Sequence, residues 1–300
     1  MKTIKLTSYS VAIALGIAFF VGCAKDEPEA IVLPPIGGFN SANEVGAADL
    51  LAYWPLEGNG IESKSSTAPN ATVGASYEAG AKGQGLKLAN GYLKYPLMAA
   101  LSGNISAYTI SAWVKLNNNK TASSATASSI FSIARPNEWI GNVNLYAETG
   151  NYAATIDTIR VKQGFGSTSG TEIYETFPKL EPYMVADNLI TPGKHVANAN
   201  KIGGQWAHLV ATWSGTGNKL IIYSNGQKIS SPAFEVRGTN TNIVFDAAAY
   251  PIIGAFGNFA TTADTWNKPM TGNIDEIRVW KKALNSTDVK ALYELEKANR

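Results

Sequence analysis

Short β-rich runs separated by turn clusters recur along most of this chain, and that spacing constrains its fold more than any other feature. Residues 108–116 read YTISAWVKL, 129–134 SIFSIA, 142–147 NVNLYA and 155–161 TIDTIRV. Later come 206–213 (WAHLVATW), 219–224 (KLIIYS), 249–255 and 273–280. Asn225-Gly226 follows KLIIYS at once, before Gln227-Lys228-Ile229. An Asn-Gly pair between strands predicts a hairpin, because both central residues of a type I′ turn need positive φ. Many antiparallel strands with turns every 8–12 residues imply a sandwich or a barrel. The 28 Gly, 13 Pro and 10% aromatic content agree with a strand-and-turn protein.

One helix is predicted, near the C-terminus. Asn285 or Ser286 caps it, Asp288 sits in its first turn, and Val289, Leu292 and Leu295 recur at helical spacing. It is expected to close one end of the sandwich. Residues 28–48 carry Pro34-Pro35, Gly37-Gly38 and Asn40-Ser41 without a hydrophobic period, and read as a tether. No internal repeat or second linker interrupts the rest of the chain, so a single domain is expected over residues 49–298.

The N-terminus reads as an export signal. Lys2 and Lys5 make a basic start, residues 11–21 are apolar, and Phe20-Val21-Gly22 leads into Cys23, the only cysteine of 300 residues. The apolar run falls short of the ~20 residues of a membrane span. This pattern resembles a bacterial lipobox, with Phe20 where Leu is usual, so residues 1–22 are expected to be removed and Cys23 to carry lipid. Lys25-Asp26-Glu27 resembles the surface-export tag of Bacteroidota lipoproteins, which implies an outer-membrane protein facing outward. Residues 23–48 are then lipidated Cys and tether. Of the 25 basic residues only Lys2 and Lys5 fall in residues 1–22, which leaves 23 against 23 acids. A neutral chain without basic blocks argues against nucleic acid as partner. With one cysteine there is no intrachain disulfide, so stability must come from a core.

Lined up in order, LAYWPLEGN (51–59), GAKGQGLKL (80–88), ISAWVKL, GGQWAHLVATWSG, KLIIYSNGQKI and GNIDEIRVWKKAL resemble the laminin-G-like branch of the concanavalin A-like lectin/glucanase jelly rolls. The resemblance spans residues 51–295. It implies an all-β sandwich of two curved antiparallel sheets, with a concave face and rim loops that often hold carbohydrate or protein ligands. Trp54, Trp113, Trp206, Trp213 and Trp280 sit in these strand motifs and are assigned to the core or its edges.

The same superfold hosts glycosidases with a Glu-x-Asp-x-(x)-Glu strand, and retaining cleavage needs two carboxyls about 5 Å apart. Here Asn273 replaces the first Glu, and Asp275 and Glu276 are adjacent, so on a strand they face opposite ways. No carboxylate pair recurs elsewhere at strand spacing. The two histidines, His195 in a loop and His208 within WAHLVATW, make no zinc motif, and His208 is expected to be a hydrogen-bonded sheet residue. The chain is therefore expected not to be an enzyme.

The resemblance also implies a calcium site between the first strand's end and the last strand. The matching positions are Glu57 and Asn59 with Asp275, oxygen donors suited to a hard, structural cation. Sugar sites use aromatic faces with a few amides and carboxylates. Residues 135–204 and the loop 254–270 carry many aromatics, and Trp139, Trp266, Tyr146 and Phe259 are the candidate carbohydrate residues. The expected function is a lipid-anchored, non-catalytic surface protein that captures a polysaccharide or oligosaccharide. The alternative is a protein-binding adhesion or envelope module, with a glycoside hydrolase behind it.

Overall fold

Alternation along single strands builds the protein. In the computed structural model, Ala107–Lys115 (β4) sends Tyr108, Ile110, Ala112 and Val114 into the main core, and Thr109, Ser111 and Trp113 to the other face. Trp206–Ser214 (β9) does the same with Ala207, Leu209, Ala211 and Trp213 against His208, Val210 and Thr212. The structure describes residues 33–120, 126–135, 138–167, 170–176, 197–236, 238–245, 250–257 and 266–300. Cys23, His195 and Phe259 lie outside them.

Thirteen strands are formed among the described residues. The others are Leu50–Trp54 (β1), Ala71–Ala79 (β2), Gln84–Lys94 (β3), Ser128–Arg135 (β5), Glu138–Glu148 (β6), Arg160–Ser167 (β7), Gly170–Glu175 (β8), Lys219–Ser224 (β10), Gln227–Lys228 (β11), Tyr250–Ile253 (β12) and Met270–Trp280 (β13). Antiparallel pairing runs unbroken in the order β11-β10-β9-β4-β13-β3-β12-β5-β6-β7-β8, with β1 on β13 and β2 on β3. This long sheet curls until its halves face each other. Phe165 of β7 packs on Trp213 of β9 at 4.8 Å between ring centroids, and Trp54 of β1 on Phe131 of β5 at 5.3 Å. Tyr108 donates to Gln163 Oε1 (3.0 Å), while Gln163 Nε2 donates to the carbonyls of Thr212 and Ile221. The architecture is thus the expected β-sandwich of curved antiparallel sheets with a short C-terminal helix. Asn225 (φ 49°) and Gly226 (φ 74°) turn β10 into β11 as predicted.

Three expectations change. Residues 155–159 are not strand; their alternation is overridden because the Asn200 side chain takes both the N–H and the C=O of Ile159. The helix, Ser286–Lys297 (α1), does not cap an end of the sandwich. Capped by Asn285, whose Oδ1 accepts from the Thr287 and Asp288 N–H groups, it lies across the outer face of the β4-β9-β10-β13 half. There Val289, Leu292 and Leu295 pack with Val210, Tyr223 and Trp280. Finally, the folded unit starts at Pro35 rather than Asp49. Ile36, Phe39, Ala42 and Val45 join the helix cluster, Trp280 Nε1 donates to the Val45 carbonyl, and Ala42 N–H donates to the Arg300 carbonyl. Two short 3-10 turns, Ala42–Glu44 and Ala47–Asp49, give this stretch no period for a sequence reading to detect.

Between α1 and the sheet lies a buried ionic cluster. Arg278 gives Nε to Glu296 (2.9 Å), an Nη2 bond to Glu276 (2.7 Å) and an Nη1 bond to Asn43 (2.7 Å), with its guanidinium 3.9 Å from the Tyr53 ring centre. Tyr53 Oη also donates to Glu276, and Trp113 Nε1 to Glu296. A bulge in β13 puts Glu276 at φ 49° and aims it at Arg278. One guanidinium serves two acids, and burial pushes the Glu296 carboxyl up to about 7. The folded chain therefore keeps a proton on Glu296 that the unfolded chain releases near 4.5, so this group's stabilisation is lost as pH rises through about 7. Glu296→Gln removes that loss. Urea melts of both proteins at pH 5 and pH 7, roughly bracketing this window, should show a smaller fall for the variant; equal falls would assign the proton elsewhere.

Candidate functional site

Strand alternation carries Asn142, Asn144, Tyr146 and Glu148 to the face of β6 opposite Val143, Leu145 and Ala147, which enter the main core. On that outer face the structure brings three of the four candidate carbohydrate residues together. Trp139 and Trp266 meet at 5.5 Å and Trp139 and Tyr146 at 6.1 Å between ring centres. Phe256, fully buried, sits among them at 5.3 Å from Trp266 and 5.5 Å from Tyr146. Every pair is edge-to-face, the geometry preferred by ring quadrupoles. Trp139 and Trp266 stay half-buried, while Tyr146 is buried. Phe259 lies outside the described residues. Phe256, three residues past the end of β12, lies at the centre of the described rings.

Polar groups surround the rings. Ser129 Oγ donates to Asn144 Oδ1, and Asn144 Nδ2 reaches the Trp139 carbonyl. Arg135 pairs with Glu138 beside Trp139. Next to Tyr146 on the same face, Glu148 is held by Arg160 (3.1 Å), Lys162 (2.5 Å) and Asn151 (2.6 Å). Although burial acts to raise the Glu148 carboxyl, the Lys162 and Arg160 cations prevail and hold it below the usual range. Asn144 is fully buried and only braces the rings, while half-exposed indoles beside the partly exposed Glu138 and Glu148 can cover a sugar's apolar side and bond its hydroxyls.

Two of the three proposed cation ligands converge. Asp275 Oδ2 accepts from the Lys82 N–H (3.0 Å) and Glu57 Oε2 from the Gln84 N–H (2.8 Å), so both acids meet the turn between β2 and β3. Gly80 and Gly83 are required there, since a Cβ on either would strike Asp275 Oδ2 or the Glu57 carboxylate. Burial, with the nearby Glu276 and Glu57 charges, pushes Asp275 up to about 8 despite its backbone hydrogen bonds. A divalent cation at this turn would reverse that cost. Asn59 does not join them. Its Oδ1 accepts from the Ile61 N–H and its Nδ2 donates to the Glu57 carbonyl, which uses the side chain in its own turn. Among the described residues no group of three or more His, Cys, Asp or Glu could hold a metal. A hard cation would draw its remaining oxygens from main-chain carbonyls and water.

Asp275 and Glu276 serve different neighbours, the β2–β3 turn and Arg278. His208 is buried in β9 as expected, but its ring nitrogens make no hydrogen bond among the described residues. Its ring packs beside those of Trp113 (5.4 Å) and Tyr293 (6.0 Å) with Nε2 3.4 Å from Glu296 Oε2, and burial lowers its pKa to about 3. Cavities of about 480, 430 and 280 Å³ lie away from the aromatic cluster, at the β10–β11 turn, at the start of α1 and by Lys87 and Lys115.

A laminin G family model, described as concanavalin A-like lectin/glucanases superfamily, matches residues 88–290. No curated protein matches the sequence. Among solved structures, the binding domain of botulinum neurotoxin serotype G is similar at TM-score 0.54 and 15% identity, over 82% of this chain and 51% of that one. The ligand-binding domain of botulinum neurotoxin serotype D, in complex with N-acetylneuraminic acid, is similar at 0.52 and 12%, over 84% and 52%. Domain 4 of AbnA, an extracellular arabinanase from Geobacillus stearothermophilus, in complex with arabinotriose, gives 0.49 and 18% over 81% and 98%. The chain spans about half the length of the two toxin domains.

Proposed function

The chain belongs to the concanavalin A-like lectin/glucanase superfamily, in its laminin G branch, and from that premise we propose that it is a non-catalytic carbohydrate-binding protein, held on the outer face of the outer membrane by lipid on Cys23. The observation that carries the binding reading is the cluster of Trp139, Trp266, Phe256 and Tyr146 on the outer face of β6, with both indoles half-buried. Its ligand is a polysaccharide or oligosaccharide that lies across the two indoles and bonds the adjacent charged groups of Glu138 and Glu148. The fold shared with a toxin domain solved in complex with N-acetylneuraminic acid is consistent with this. The non-catalytic reading rests on Asp275 and Glu276 serving separate neighbours, with Glu276 committed to Arg278. The lipid anchor and surface location rest on the sequence of residues 1–27.

We further propose a structural calcium ion at the β2–β3 turn, bound by Glu57 and Asp275. Two carboxylates converge there, and Asp275 is buried with no facing cation among the described residues. Bound calcium would tie the residues after β1 and the middle of β13 to one turn.

A soluble form without residues 1–23 should bind one polysaccharide class on a glycan array. Trp139→Ala and Trp266→Ala should each weaken that binding about tenfold or more, the equivalent of about 1.4 kcal/mol. Binding unmoved by both changes would remove the aromatic cluster as the site, and silence across the array would turn the search to a protein partner. Calcium at about a hundred times its Kd should raise the melting temperature by about 5–10 °C. Asp275→Asn should abolish that rise and melt higher than wild type in chelator. No calcium response in the wild type would rule the ion out. Expressed from the full sequence in a diderm bacterial host, the protein should take up radiolabelled palmitate and sediment with the outer membrane. Cys23→Ser should do neither.

A further inference from the structure

A cavity of about 480 Å³ at one end of the sandwich lies on the opposite half of the curled sheet from the Trp139 cluster. Its walls are the chain around Asn198, the β10–β11 turn from Ser224 to Gln227, and Tyr293 and Glu294 of α1. The volume falls within the ~300–1,000 Å³ of small-molecule sites.

Its polar groups divide into fixed and available ones. Asn225 is locked, since its N–H donates to the His208 carbonyl (2.8 Å) and its Oδ1 accepts from the His208 N–H (2.9 Å). That leaves its amide Nδ2 as a positioned donor. Ser224 lines the cleft, but its Oγ is closed to solvent and is not among the available groups. Gln227 is exposed at the lip, and Asn198 half-buried opposite. Tyr293, stacked on Trp113 at 5.7 Å, adds apolar surface in a fixed place. The wall is rigid, because the turn presses on the helix. A Cβ on Gly226 would lie 3.1 Å from Tyr293 Cδ1 and 3.3 Å from Lys290 Cα. Little ordering cost would remain to be met on binding. Lys290 and Glu294 flank the cleft with opposite charges, so it favours neither anions nor cations.

We propose that this cleft is a second saccharide site, taking a neutral sugar unit through Asn225 Nδ2 and the Gln227 and Asn198 amides. Amides beside one aromatic ring suit vicinal sugar hydroxyls, each both donor and acceptor.

The test is a ¹H–¹⁵N NMR titration with methyl glycosides of glucose, galactose, mannose, xylose, arabinose and N-acetylglucosamine, to about 100 mM, enough to saturate a millimolar site. At least one should produce saturable shifts in the amides of Ser224–Gln227 and Tyr293. Asn198→Ala and Gln227→Ala should each weaken them at least threefold, with the rest of the spectrum unchanged. Trp139→Ala should leave these shifts intact, which separates this site from the aromatic cluster. No saturable shift at these amides with any glycoside, or shifts unmoved by both variants, would overturn the proposal.

Discussion

The guanidinium of Arg278 bonds together parts of the chain that lie far apart in sequence. It bonds Glu296 of the helix, Glu276 of its own strand and Asn43 of the N-terminal segment, and packs on Tyr53 of β1. A buried ion pair is weak evidence of stability, because desolvation offsets most of the attraction. Removing one partner is another matter, since it strands charge in an apolar layer at a cost of about 3–5 kcal/mol. The helix and the N-terminal turns therefore lie on the sheet in one arrangement. That arrangement also positions Tyr293 against Trp113 and His208, and with it one wall of the cleft at the β10–β11 turn.

The fold was legible because strand alternation and turn chemistry are local. The β4 and β9 alternation, the Asn225-Gly226 turn and the Asn285 cap all derive from neighbours in sequence. What sequence could not supply came from distant partners. Residues 35–48 read as tether because nothing in them is periodic, yet Trp280 and Arg300 hold them. Residues 155–159 alternate like a strand, but Asn200 takes their backbone groups. Placing α1 at an end, not on a face, was the same kind of error, since an amphipathic pattern names a buried side without naming what covers it.

The sites were legible in part. Trp139, Trp266 and Tyr146, far apart in sequence, do meet, but their packing centre is Phe256. Aromatic content marks candidates, and only topology says which side of a strand they share. Glu57 and Asp275 meet at one turn as the family resemblance implied, while Asn59 was diverted by an Asx turn within its own loop. The cleft at Ser224 had no signature at all. Its members are common polar residues from a hairpin turn, a loop and a helix, which only the fold brings together.

The pairing of β13 sets a timetable for assembly. Residues 270–280 bond to β1, β3 and β4, strands laid down some 150 or more residues earlier, and link the two halves of the curled sheet. Until they are synthesised, β3 and β4 have no partner between them and expose open edges. Contacts of such long range slow folding and leave intermediates prone to edge-to-edge association. A chain of this design passes most of its synthesis in a form that a holdase chaperone would recognise, and commits to its final shape only when nearly complete.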